Sequence, residues 1–202
     1  MNFPLRTLLA SSFISLAACS QPAAEVTPLD GDWTVSGDES HLSFVSVKAD
    51  TVAEAHSFGE IDGSVAADGT ATIEIPLATV QTNIDLRDER MREFLFETET
   101  YPTATITAPL DPATFSGLGI GDTVTAPVTA TIDLHGQTSE IDADLLVTRI
   151  AADKVLVVTA TPIIITADEF GLADGVEKLR ELASLPSITP AVPVTFSIVF
   201  TR

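Results

Sequence analysis

From Trp33 onward the chain alternates apolar and polar residues with a period of two. Ala71, Ile73, Ile75 and Leu77 alternate with Thr72, Glu74 and Pro76, and Val124, Ala126, Val128, Ala130, Ile132 and Leu134 alternate with threonines, Pro127 and Asp133. Successive side chains of a strand point to opposite faces, so such runs predict strands with one apolar face each. Residues 141–147, with Asp142 and Asp144 on the other face, and 192–200, with Val194, Phe196 and Ile198, repeat the pattern. Residues 42–47, 104–110 and 154–166 also read as strands, rich in Val, Ile and Thr. Turn signals fall at 67–69, 117–122 and 135–137.

These runs predict an all-β fold of about eight strands. An antiparallel sheet closed into a barrel removes exposed edges and at about eight strands can hold one small ligand; a two-sheet sandwich also fits the periodicity. Several inward positions are small (Ala71, Ala126, Ala130 and Ala143), as an elongated tunnel requires and as tightly packed sandwiches also show.

Two stretches lose the alternation. Residues 83–99 predict a short helix flanked by loop, with Phe94, Leu95 and Phe96 as its apolar content. Residues 174–185 predict a second, with Val176, Leu179, Leu182 and Ala183 on one face, charge pairs Glu177–Arg180 and Lys178–Glu181, and Pro186 ending it.

Ten Lys+Arg stand against 29 Asp+Glu, a formal charge of -19 in 202 residues. That balance removes the counterion release that drives non-specific nucleic-acid binding, so no nucleic-acid partner is expected. The 45% hydrophobic content and mean hydropathy of +0.31 are too apolar for a disordered chain.

Residues 1–18 have the layout of an export signal: Arg6 near the start, an apolar run from Leu8 to Ala18, then small residues. The run is too short to span a bilayer, which takes roughly 20 residues. It ends in Leu16-Ala17-Ala18-Cys19, which resembles the lipobox of bacterial lipoproteins, and Cys19 is the one cysteine. The resemblance implies lipidation of Cys19 and a membrane anchor. Ser20 in place of an aspartate points to the outer membrane, with residues 19–28 as a tether and 29–202 as the domain. The expected location is the periplasm or cell envelope. Loss of Arg6 leaves nine basic residues against 29 acids, or -20.

Gln81-Thr82-Asn83, then Arg87-Asp88-Glu89-Arg90-Met91-Arg92, Leu95-Phe96-Glu97 and Tyr101-Pro102 resemble the central signature of the YceI-like family. Ser40, Leu42, Phe44 and Lys48, the glycines 59 and 63, Leu134 to Thr138, and Asp168-Glu169-Phe170-Gly171-Leu172 extend the match over 29–202. The resemblance implies an extended lipocalin-like antiparallel barrel whose apolar lumen binds an isoprenoid-type lipid, a polyprenyl chain or a quinone tail, with no catalysis and no cofactor. Histidines common in the family are replaced by Glu39 and Arg90, with His41 out of register. The 174–185 helix belongs to a subset of such proteins.

The candidate lumen residues are Phe44, Phe58, Ile75, Phe94, Phe96, Ala130, Ile132, Phe170 and Phe196. Arg87, Arg90 and Arg92 form a cationic cluster; it reads either as an anion site for a phosphate headgroup at the barrel mouth or as the counter-charge to Asp85, Asp88, Glu89 and Glu93, for instance Asp88 to Arg92. His41, His56 and His135 lie in separate segments without metal-ligand spacing and read as surface or turn residues, so no metal site is expected. No nucleophile elbow or phosphate loop is present. The expected function is binding, storage or transport of the lipid, the alternative a packed scaffold for a partner protein. Self-association as a homodimer stays open.

Overall fold

The computed structural model describes residues 28–202, so the signal and Cys19 lie outside the described residues. The strands are β1 (Trp33–Val35), β2 (His41–Lys48), β3 (Val52–Phe58), β4 (Asp62–Val65), β5 (Thr70–Pro76), β6 (Val80–Gln81), β7 (Thr103–Pro109), β8 (Thr123–Leu134), β9 (Gln137–Ala151), β10 (Lys154–Thr159), β11 (Ile163–Thr166) and β12 (Ala191–Thr201). Eight of them close a ring, in the order β1, β4, β5, β7, β8, β9, β10, β12 and back to β1, and every pairing is antiparallel. The fold is an eight-stranded antiparallel barrel, and the sandwich alternative falls because β12 pairs with β1. β2 continues β1 along β12 and pairs with β3, which carries β6.

The expected 154–166 strand is two segments, because the chain leaves the ladder at 160–162, where Pro162 has no N–H to donate. β1, β3, β4 and β6 were not among the expected runs. β3 holds only Val52 and Phe58 as large apolar residues, and the others are two to four residues long.

The longest hairpin, β8–β9, turns at His135 and Gly136, with φ of 53° and 71°. Two consecutive left-handed residues match the right-handed strand twist. A Cβ on Gly136 would stand 2.9 Å from the Tyr101 ring, so glycine also makes room for that side chain.

Both expected helices form, and both sit at the end of the barrel away from where the chain enters. α1 (Asp85–Arg90) runs into a π-turn (Met91–Leu95), and α2 (Ala173–Leu182) packs on that turn. Gly175 permits the contact, since a Cβ there would lie 2.6 Å from the Phe94 carbonyl oxygen. Of the expected charge pairs, Glu177–Arg180 forms at 2.6 Å, whereas Lys178 sits over the Phe94 ring. The opposite, entrance end holds Leu29, the 66–69 turn and the 110–122 connection.

Candidate ligand-binding lumen

The inward faces of the ring enclose a cavity of about 550 Å3, within the roughly 300–1,000 Å3 typical of ligand pockets. The four small inward residues, Ala71, Ala126, Ala130 and Ala143, all line it and leave the space that larger side chains would fill. Inward residues such as Ala130, Ile132 and Phe196 stay only half-buried, because they face an open lumen instead of a packed core.

The cavity has one solvent-open end. Its lining residues that are exposed are Asp30, Gly31, Ala67, Pro112 and Ser116, all at the entrance end, whereas Leu77, Leu95, Phe96, Ala167 and Leu172 at the far end are buried. Phe44, Phe58 and Phe96 form an aromatic row at that closed end, with successive ring centroids 5.5 and 5.9 Å apart.

Of the sequence-derived candidates, Phe44, Phe58, Ile75, Phe96, Ala130, Ile132 and Phe196 line the lumen together. Phe94 and Phe170 do not. The π-turn directs Leu95 and Phe96 to the lumen and leaves Phe94 facing α2, with Lys178 Nζ 5.9 Å from its centroid. Phe170 is fully buried in a 3-10 turn that packs against β9 and α2, away from the lumen surface. Trp33 and Leu29 line the cavity near its mouth and were not among the candidates; the signal for Trp33 was its position as the first residue of the alternating region.

The arginine cluster is absent from the lining, and it stands at the closed end, so it does not form the expected headgroup site at the mouth. Arg87 donates to Glu54 (2.8 Å) and to the Thr82 carbonyl (2.6 Å), and Arg90 donates to the Leu182 carbonyl (3.3 Å). Asp88 accepts from both the N–H and the hydroxyl of buried Thr82 instead of pairing with Arg92. The signature motif thus fastens the α1 connection to the barrel. Glu54 is held below the usual carboxylate range, first by its bond to Lys48 and then by Arg87.

His41 is exposed and His135 sits in the hairpin turn, its Nε2 2.9 Å from Glu97 Oε2 and its ring against Tyr101. His56 departs from the expected surface placement. It is buried on β3, bonded to Ser46 Oγ at 2.8 Å, with its ring 5.2 Å from Phe44 and no partner at Nδ1. Burial foremost, then the nearby Arg87 charge, lowers its pKa. Among the described residues, no three His, Cys, Asp or Glu side chains converge as metal ligands.

The YceI-like domain family model matches residues 33–200. The chain belongs to the YceI-like family. Among solved structures, this YceI-like chain is similar to a polyisoprenoid-binding domain from Saccharophagus degradans implicated in plant cell wall breakdown, at 40% identity and a TM-score of 0.83 over 84% of this chain and 98% of that one. Burkholderia cenocepacia BcnA (19% identity, TM-score 0.62, 80% of this chain, 96% of that one) and a Campylobacter jejuni YceI protein (14%, 0.54, 73% and 84%) share the YceI-like fold. No curated protein matches the chain.

Proposed function

We propose that this protein binds, stores or carries an isoprenoid-type lipid in its lumen and does no chemistry on it. The observation that carries the reading is the continuous apolar cavity of about 550 Å3, open at one end and lined almost wholly by hydrocarbon side chains. An isoprene unit moved from water into such a lining gains on the order of 4 kcal/mol before ordering costs, from about 0.8 kcal/mol per carbon. Kinship with a polyisoprenoid-binding domain at 40% identity supports the same ligand class. The unfilled interior counts against a packed scaffold for a protein partner.

The mouth carries charges of both signs. Asp30 lines it, Asp68 and Asp111 flank it, and Arg202 is held there against Trp33 and the Asp30 carbonyl. The export-signal layout of residues 1–18 and the lipobox-like run from Leu16 to Cys19 support a location in the cell envelope, with Cys19 as an anchor at the outer membrane. Extraction of protein purified from its native membrane, followed by mass spectrometry, is expected to recover a prenyl lipid in near-stoichiometric amount. Recovery of none, together with no uptake of prenyl lipid by delipidated protein, would sink the reading.

A further inference from the structure

β9 is laddered on its β8 edge for most of its length and on its β10 edge for only about half. It pairs with β8 from Gln137 to Thr148, and with β10 only from Leu145 onward. The last bond on that second edge runs from the Ala160 N–H to the Asp144 carbonyl, at 2.9 Å. Beyond it the 160–162 segment carries the chain away, and β11 pairs with β12. Among the described residues no ladder joins residues 137–143 to β11.

The result is a wedge-shaped opening in the wall. Its apex is the Asp144–Ala160 bond, and its sides are β9 and β11. At its base the 167–170 turn packs against β9, and there the Glu169 carboxylate accepts from Ser139 on β9 through one oxygen and from Thr166 at the end of β11 (3.3 Å) through the other. A hollow of about 420 Å3 lies over the wedge, faced outside by Thr129, Asp142, Asp144 and Thr161. Val128, Ile141, Ala143 and Ile163 line both this hollow and the lumen. Ile164, 54% exposed, stands beside it.

We propose that the wedge is a side entrance through which a lipid chain passes into the lumen, with Glu169 as its clasp. The inference rests on the lipid-binding reading above. A chain entering only at the mouth must thread the barrel end first, whereas a wedge admits it sideways along its length. Above the 167–170 turn, parting β9 from β11 breaks no ladder hydrogen bond, and the clasp crosses the gap by one hydroxyl-to-carboxylate bond, Ser139 to Glu169, at the surface where water can replace it. The chain would slide past the four shared apolar residues, with its polar end outside among Thr129, Thr161 and the aspartates.

The test links the sides of the wedge. In the full chain bearing Cys19→Ser, Ser139→Cys and Thr166→Cys are joined by a cleavable dithiol-reactive linker, and uptake of a fluorescent geranylgeraniol analogue from phosphatidylcholine vesicles is timed. Linking is expected to slow uptake at least tenfold and cleavage of the linker to restore it, which separates closure from misfolding. Glu169→Ala is expected to speed uptake several-fold. A linked protein that fills at the unlinked rate overturns the side entrance. So does a block obtained only by linking the mouth through Ala67→Cys and Pro112→Cys. Failure of the unlinked protein to take up any probe sinks the lipid reading itself, and the entrance with it.

Discussion

Ala130 of β8 and Ile141 of β9 are register partners on the lumen wall, and both side chains face the cavity. The pair puts a methyl group opposite a four-carbon side chain, which leaves open space where two large residues would meet. Ala130→Phe is therefore expected to occupy the lumen without overpacking a core. Prenyl-lipid affinity should fall at least tenfold, while the denaturation midpoint moves by no more than about 1 kcal/mol equivalent, since the 1–3 kcal/mol penalty of overpacking applies to filled interiors. Fluorescence titration and urea unfolding check the two halves. Unchanged affinity would place the ligand elsewhere.

Asp88 carries the signature loop by a different physics. Its carboxylate satisfies two donors of Thr82, which is 2% exposed. Asp88→Ala leaves both without a partner and is expected to cost about 1–3 kcal/mol of stability. Asp88→Asn, which keeps a carbonyl acceptor, should lose less. Urea midpoints of the two variants give the comparison.

The barrel was legible because each long strand advertises its inward face. β8 and β12 carry five or more alternating apolar residues, and the four alanines that hollow the lumen lie on such runs. What was illegible depended on contacts between distant segments. Phe94 and Phe96 are two residues apart in one short motif, yet only the π-turn and the approach of α2 decide that one faces the helix and the other the lumen. Arg87 and Arg90 carry no mark in sequence that their partners are Glu54 and two backbone carbonyls. His56 reads as polar, and its burial follows from pairing with Phe44 across β2 and β3.

His56 supplies a pH dependence with a definite sign. Its pKa in the folded protein lies below the ordinary 6.5, through burial and the charge of Arg87, with Lys48 adding in the same direction and Glu54 and Asp88 opposing. The unfolded chain therefore binds a proton that the folded chain refuses. The stabilisation is complete above pH 6.5 and is lost as pH falls below it toward the folded-state pKa. Urea unfolding between pH 7.5 and about 5 should show this decline, and His56→Gln should flatten it. Glu54, lowered by Lys48 and Arg87, loses its contribution only as pH falls below its ordinary 4.5, so the two windows are separable.

The chain enters the barrel at the mouth of the lumen: Leu29 lines the cavity, and its carbonyl accepts from the Trp33 indole at 3.3 Å. If Cys19 is the anchor, only the ten residues from Cys19 to Pro28 separate the lipid from that mouth, a reach of at most about 35 Å when fully extended. The net charge of -19 gives the domain no attraction of its own to anionic headgroups, so on the proposed lipidation membrane residence would rest on the acyl chains. Cys19→Ser is expected to move the protein from the membrane to the soluble envelope fraction, while prenyl-lipid affinity of the purified domain stays within twofold. Fractionation and titration of the two forms decide it. A Cys19→Ser protein that stays in the membrane fraction would show that the barrel itself, and not the cysteine, holds it there.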